Sequence, residues 1–414
     1  LDHQSPFFIF GNKKMGLSGN IEKRIKRHII GKLQSFYVST LSGFERACLD
    51  ELSHLGISVT EAKTETGGIE FSGKAHECYL ANLHLRTANR ILMRIETFHA
   101  TNFRQLGERA SQIPWELYVY GSSEIKIHVT SHKSRLIHTG AISEQIHEGI
   151  SQRSLSAYSD SETQQAERQH PQQIFIRAQD DRFTLSLDSS GELLHKRGLK
   201  VNVGKAPIRE TIAAAILKIA GYDPEKPLID PMCGAGTFSL EGAMMATRIP
   251  AGWYREFAFM GWPCFRQSRW RHIRREAEKN IKQLDNPVIF ASDKDPAVCR
   301  ELENALQTLN LSGTVAVEQK DFFEVMPSDI KRPYILREKG LLVINPPYGR
   351  RLGTKAQSAK MFNEICCKLS KDFKGWRFAL IAPDKELTQK ISFHADRQAI
   401  FHGGLKLMLL TGRI

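Results

Sequence analysis

From Gly198 onward the chain alternates short apolar runs with helical periods, and few folds accommodate that alternation. Leu228-Ile229-Asp230, Val288–Asp293, Val315-Ala316-Val317, Gly340–Ile344 and Arg377–Ile381 are rich in branched side chains and too short for helices. Between them lie segments with helical spacing: Ile208–Ala220, opened by Pro207 where a missing N–H does no harm, then Phe238–Ala246, Pro296–Leu309 and Ser358–Leu369. Strands alternating with helices predict a parallel α/β sheet with crossover connections. The last two runs, near Gln398–Phe401 and Lys406–Leu410, flank His402-Gly403-Gly404 and predict a C-terminal antiparallel hairpin.

The earlier half follows a different grammar. Phe36–Thr40 reads as a strand, Gly43–Leu55 as a helix, and Ile57–Phe71 alternates around a Thr66-Gly67-Gly68 turn. A helix over Ala75–Leu92 and a strand over Met93–His99 complete a small α+β unit. A second α+β block runs from Phe103 to about Leu187, with a helix ending near Pro114-Trp115, a strand at Ile125–Val129, a helix at Ile142–Ile150, and strands at Ile174-Phe175-Ile176 and Phe183–Leu187. The polar stretch Ser151–Gln173 reads as a flexible loop. The expected domains are therefore 36–100, 101–190 and 191–414, preceded by a basic extension over 1–35. Leu1 in place of Met makes that extension read as a fragment end or tag remnant.

With 414 residues, 41% of them hydrophobic and 25% charged, the chain can fill two or three cores, which excludes disordered, collagen-like and coiled-coil classes. No run approaches the roughly 18 apolar residues of a membrane span, and Phe7-Phe8-Ile9-Phe10 is too short for a signal-peptide core. A cytoplasmic protein without a membrane partner is expected. Seven cysteines without a C-x-x-C pair predict reduced thiols and no metal. The net charge of +13 is concentrated: residues 1–35 carry +5, 255–282 carry +5 and 331–360 carry +7, leaving −4 for the remainder. A polyanionic partner explains that clustering through counterion release, and a solvated basic surface is the alternative.

Asp230-Pro231-Met232-Cys233-Gly234-Ala235-Gly236-Thr237 joins a strand to a helix. Paired glycines at such a turn let backbone approach a ligand closely, although a purely structural turn has the same pattern. Ser239 stands where a dinucleotide fingerprint has its third glycine, which counts against NAD. Asp293 ends the next strand, where a carboxylate can accept both hydroxyls of a ribose. Its distance from Asp230 makes Ile249–Pro287 an insertion, bearing Trp253, Tyr254, Phe257, Phe259, Trp262, Phe265, Trp270 and five arginines between Arg266 and Arg275. Those side chains suit stacking on unpaired RNA and equally suit a packed lid. Asp321, before Phe322 and Phe323, is placed either to accept from an adenine amino group or to cap a helix. Asn345-Pro346-Pro347-Tyr348 ends the fourth strand: two prolines stiffen the loop and leave the Asn345 side-chain oxygen and Pro346 carbonyl as acceptors that can grip an amino group, with the Tyr348 ring free to stack.

These motifs resemble class I S-adenosylmethionine-dependent methyltransferases with a D-P-x-C-G-x-G-T first motif and an N-P-P-Y fourth motif, acting on amino nitrogens of bases. Phe36 to about Asp188 resembles the ferredoxin-like and THUMP RNA-binding modules that precede this domain in one bacterial and archaeal group. Among members, the likeness is strongest to the guanine-N2 half of the bacterial large-subunit ribosomal RNA enzyme. The resemblance implies a Rossmann-like sheet and S-adenosylmethionine as cofactor, with Asp230, Gly234 and Gly236 shaping the pocket for its methionine end, Cys233 and Thr237 also binding the cofactor, Asp293 at the ribose and Asp321 at the adenine. Asn345, Pro346 and Tyr348 would present the target base, and Arg350 and Arg351 would hold flanking phosphates.

The implied partner is RNA, large-subunit ribosomal RNA or an assembly intermediate. Methyl transfer needs positioning rather than a metal or a covalent enzyme intermediate, and a duplex base must be flipped to reach such a site. Guanine N2 of tRNA and adenine N6 of DNA remain alternative acceptors, as does a non-catalytic RNA-binding assembly factor; a nucleotide-dependent oxidoreductase is disfavoured by Ser239 and the N-P-P-Y loop.

Overall fold

The computed structural model describes residues 19–121, 123–155, 171–198, 208–330, 339–347, 355–382 and 385–414, apart from the side chains of 154, 155, 355 and 390. Among the expected features, Phe7–Phe10, most of the Ser151–Gln173 stretch, Pro207, Tyr348, Arg350 and Arg351 lie outside the described residues. The described residues fall into two compact units, one drawn from 1–33, 94–187 and 261–265, the other from 34–93, 188–260 and 266–414.

The smaller unit begins with α1 (Gly19–Ile25), which continues as a π turn over Lys26–Ile30 and buries Ile21, Ile25 and Ile29. The larger unit then takes up β1 (Gln34–Thr40), α2 (Glu45–His54), β2 (Lys63–Glu65), β3 (Gly68–Gly73), α3 (Ala75–His84) and the first half of β4 (Ala88–His99). β1 lies between β3 and β4, antiparallel to both, and β2 forms a hairpin with β3, the βαββαβ order of a ferredoxin-like fold.

Here the structure corrects a boundary. α3 stops at His84 instead of running to Leu92, and β4 starts at Ala88 instead of Met93. The run Ile91-Leu92-Met93 suits either element by periodicity; β1 decides, because Phe36–Ser39 pair with Met93–Arg90. The break between α3 and β4 is held by buried Glu51, which accepts from the amides of Arg86 (3.1 Å) and Thr87 (3.0 Å) and from the Thr87 hydroxyl (2.7 Å).

In the smaller unit follow α4 (Phe103–Gln112), capped by Asn102 through the Gln105 amide at 3.0 Å, then β5 (Ile125–His132), α5 (Thr139–Leu155), β6 (Gln172–Gln179) and β7 (Arg182–Asp188). β5 and β6 run parallel, and β6 and β7 antiparallel. α5 outruns the expected Ile142–Ile150, so Ser151–Leu155 is a last helical turn instead of loop. Gln172, also assigned to that loop, is buried in β6 and accepts from the Trp262 indole at 3.1 Å. Buried Glu116 is paired with Arg24 (2.6 Å) and Arg153 (3.2 Å), so its charge does not stand alone.

The larger unit resumes with α6 (Glu210–Ile219), β8 (Leu228–Asp230), α7 (Thr237–Ala246), α8 (Gln267–Lys279), β9 (Ile289–Asp293), α9 (Pro296–Thr308), β10 (Val315–Gln319), β11 (Leu341–Ile344), α10 (Lys355–Asp372), β12 (Arg377–Ala382), β13 (Asp396–His402) and β14 (Leu405–Arg413). The strand order is β10-β9-β8-β11-β12-β14-β13, parallel through β12, with β14 antiparallel to β12 and β13 forming the hairpin edge. Every residue of β8 and β11 is buried, as central strands covered on both faces require. Leu228, Leu341 and Val343 join Ile212, Phe238 and Leu302 in one core; Ile229, Leu342 and Ile344 join Phe362, Ile365 and Phe373 in the other. Successive strands step outward from β8 to β9 and β10, while β11 lies on the other side of β8, so the carboxyl ends of β8 and β11 flank a topological switch point.

The aromatic insertion packs. In the larger unit Phe257, Phe259 and Trp270 are buried; Phe259 stacks on Tyr79 of α3 at 4.4 Å between centroids, and Trp270 meets both phenylalanines edge-on at 5.8 and 5.4 Å. Arg274 lies over Trp253 at 3.9 Å and Arg255 donates to the carbonyls of Ser190, Glu192, Leu193 and Lys196. Of the two uses expected for these rings, packing is the one Phe257, Phe259 and Trp270 serve. Beside them, buried Glu241 of α7 accepts from Arg197 (2.8 Å) and Arg86 (3.3 Å), and Arg86 also donates to the carbonyls of Met244 and Ile249.

Candidate active site

The turn after β8 is built from backbone. Gly236 caps α7 with φ +74°, and a Cβ there would stand 2.4 Å from Leu302 Cδ1, so both conformation and space require glycine. The Gly236 amide closes the turn on the Cys233 carbonyl at 2.8 Å, and the Cys233 amide donates to Ser292 O at 3.0 Å. Gly234 also has positive φ (+50°), yet a Cβ at this position would meet nothing within 4 Å. The turn is thus tight at Gly236 and open at Gly234.

Asp293, at the end of β9, accepts from the amides of Gly234 (3.0 Å) and Asp295 (3.0 Å), one on each carboxylate oxygen. Each oxygen retains a lone pair, so the residue can both shape the turn and receive hydroxyls. Asp321 accepts from the Phe323 amide at 2.9 Å and caps the short helical turn Phe322–Glu324; its second oxygen is left for another donor. The Lys320 amide, next to it, donates to Asp293 O at 3.0 Å. Phe322 is buried, whereas Phe323 is exposed beside this edge.

Asp230 is 1% exposed. One oxygen accepts from the Ser239 hydroxyl at 2.7 Å, while Oδ1 is buried without a hydrogen-bond partner among the described residues. Burial, partly offset by Ser239 and reinforced by Asp293, pushes its carboxyl up to about 7. Ser239, which the sequence offered only as a missing glycine, is therefore the partner of the buried acid. Burial and the same two aspartates hold the Cys233 thiol far up and protonated, so it is a packing group and no nucleophile. Thr237 is buried at the first turn of α7.

Asn345 follows β11, whose Leu341 and Leu342 register with Leu228 and Ile229 of β8. Asn345 Oδ1 is likewise buried with no partner among the described residues. Pro346 is buried and Pro347 half-buried. The structure thus brings Asp230, Gly234, Asp293 and Asp321 to one edge, with Asn345 at the end of the neighbouring strand; Tyr348, Arg350 and Arg351 lie outside the described residues.

A buried, unpartnered acid oxygen beside an open glycine fits a ligand with a cationic head, and lone pairs on Asp293 and Asp321 fit a ribose and an amino-purine. A seven-stranded sheet of this order with such a site at its switch point defines a class I methyltransferase fold, whose cofactor is S-adenosylmethionine. The chain belongs to the RMKL-like methyltransferase family, whose domain model matches residues 197–406; an RlmL ferredoxin-like domain model matches 35–92. It is similar to a provisionally named RNA methyltransferase of Synechocystis sp., with 30% identity over 91% of this chain and 95% of that one. It is 30% identical to the ribosomal RNA large subunit methyltransferase K/L of Methylococcus capsulatus over 91% of this chain, and spans 50% of that relative's length. A solved methyltransferase-like structure, SMU.472 complexed with SAH, superposes with a TM-score of 0.79 at 27% identity, covering 92% of this chain and 99% of that one.

Proposed function

We propose that the protein methylates an exocyclic amino nitrogen of RNA, guanine N2 of large-subunit ribosomal RNA, presented free or in an assembly intermediate in the cytoplasm. The observation that carries this reading is the buried, unpartnered Oδ1 of Asn345 at the end of β11, next to the strand that ends in the equally unpartnered Asp230. Two naked acceptors at one switch point await donors: a cationic head at Asp230 and an amino group at Asn345. S-adenosylmethionine, when bound, supplies a methyl group on a positively charged sulfur. Asp230, Gly234 and Gly236 would shape the pocket for its methionine end, with Cys233 and Thr237 in the same turn, Asp293 would take the ribose and Asp321 the adenine.

An amino group on a base has its lone pair delocalised into the ring. Asn345 Oδ1 and the Pro346 carbonyl accept its two hydrogens and return electron density to nitrogen as the new bond forms. With the cofactor bound, the same grip would orient the nitrogen for in-line attack on the methyl carbon; the sulfur–carbon bond breaks as the nitrogen–carbon bond forms, and the nitrogen's surplus proton passes to water. Tyr348 stacks on the base, Arg350 and Arg351 hold the adjoining phosphates, and residues 101–190 act as a THUMP RNA-binding module. The names of the relatives favour RNA over DNA.

The test is Asn345→Ala. Methyl transfer to RNA should fall at least about a hundred-fold, the range for a lost transition-state acceptor, while S-adenosylmethionine affinity measured by calorimetry stays within about two-fold; equal loss of both would overturn the assignment. Radiolabelled transfer into total RNA from cells lacking the protein, followed by nucleoside mapping, should yield N2-methylguanosine. N6-methyladenosine would replace guanine by adenine as the acceptor.

A further inference from the structure

The aromatic side of the insertion is consumed by packing; its basic side is not. α8 turns Trp270, Ile273 and Ala277 into the core, and Arg274 is spent on Trp253. At 100° per residue, the opposite face carries His272, Arg275 and Lys279, flanked by Arg269 and Arg271, all exposed. Lys279 is neutralised by Glu276 at 2.6 Å. Arg269, Arg271 and Arg275 have no carboxylate partner among the described residues. Arg269 also lies near His76 of α3, where it joins burial in holding the imidazole below its ordinary value and therefore uncharged.

We infer that this face of α8 is a phosphate rail that tracks the RNA strand outside the catalytic site. Three guanidiniums that the fold does not use, on a helix already anchored by three apolar side chains, are placed for a polyanion. Arg271 and Arg275, four positions apart, stand about one 5.4 Å turn from each other along the helix, a spacing compatible with successive phosphates of one strand, and Arg269 flanks that face on its other side. Guanidinium forks bind phosphate oxygens in pairs. The inference rests on RNA being the substrate, as proposed above, and extends it from the reacting base to the strand beyond.

The experiment measures binding of poly(U) and of a hairpin RNA across a salt series with the full chain. In R269Q/R271Q/R275Q the slope of log K against log salt should shrink by about 2 for poly(U), from about 0.7 per lost phosphate contact, with affinity at low salt down at least about ten-fold. S-adenosylmethionine binding should not change, which shows the variant is folded. R269K/R271K/R275K should keep the slope, because charge and not packing is at work; should the triple glutamine variant not fold, R275Q alone must remove about 0.7 of slope. Steep salt dependence in the parent protein that survives in the glutamine variants overturns the rail while leaving RNA as substrate. Absence of salt-dependent RNA binding in the parent overturns the RNA reading itself. Equal binding of polyglutamate, with the same loss in the glutamine variants, overturns RNA as the occupant of this face.

Discussion

Asp230 shows how one residue sets a pH dependence. Its carboxyl is raised to about 7 by burial, against an ordinary value near 3.8. An acid whose pKa is raised on folding makes the folded state bind the proton more tightly than the unfolded chain. Its relative contribution to stability is full below pH 4 and is lost as pH rises from there through about 7. A cationic cofactor head placed at Asp230, as proposed above, would reverse the sign by pairing with the carboxylate and pulling that pKa down. The ligand-free protein should therefore lose thermal stability as pH rises from about 4 to about 7 and change little above that, while the rise in Tm on adding S-adenosylmethionine grows over the same interval. Affinity should fall as pH drops below about 7, approaching ten-fold per unit. Asp230→Asn should flatten both profiles; profiles as steep as the parent's would mean another group titrates. Asp230 itself was legible in the sequence, at the end of a short apolar run before Pro231. Its partner was not, because Ser239 lies beyond the glycine turn in the first turn of α7 and only the fold brings its hydroxyl to 2.7 Å.

At the scale of elements, the turn between β8 and α7 separates two jobs that the paired glycines hid. Gly236 is constrained by φ +74° and by Leu302, Gly234 by φ +50° alone. Gly236→Ala should cost more than the roughly 1–2 kcal/mol of a left-handed alanine, because Leu302 must also move. Gly234→Ala should cost only about that backbone amount, yet weaken S-adenosylmethionine binding by a larger factor, since the new methyl fills the ligand's side of the turn. Urea unfolding and calorimetric titration of the two variants separate these effects; an identical stability loss would refute the division. The elements the sequence marked well are those with local punctuation: β8 between Pro227 and Asp230-Pro231, and α9 begun by the Asp295 cap with Pro296. The α3–β4 boundary carries no glycine or proline, and its apolar residues satisfy both periods; pairing with β1, a distant segment, is what chooses. The rings of the insertion are the same case, since packing against Tyr79 from α3, together with Phe257 and Trp270, turns Phe259 from a candidate RNA platform into core.

Across the larger unit, the ferredoxin-like fold and the methyltransferase sheet are joined by charge as much as by apolar packing. Arg86 lies in the break between the ferredoxin-like α3 and β4, Glu241 lies on α7, and Arg197 precedes α6; all three are buried. Two guanidiniums and one carboxylate out of water are tolerable only because Arg86 also donates to Met244 O and Ile249 O, and Arg197 to Leu194 O and Arg86 O. Burial pulls the Arg86 guanidinium below its ordinary value, and Glu241 is the largest influence restoring it. Removing the carboxylate strands both cations, so Glu241→Ala should destabilise by about 3–5 kcal/mol, the range for a broken buried pair. Lys218 of α6, paired with Glu51 at 3.3 Å, ties the same two folds elsewhere. With these cross-links, the ferredoxin-like fold should show no independent melting step. Glu241→Ala should shift one cooperative transition downward in calorimetry, in parallel by tryptophan fluorescence and far-UV circular dichroism. A new early transition, with the methyltransferase sheet melting later at its former temperature, would show that the joint is weaker than its burial implies and that the two folds are separable.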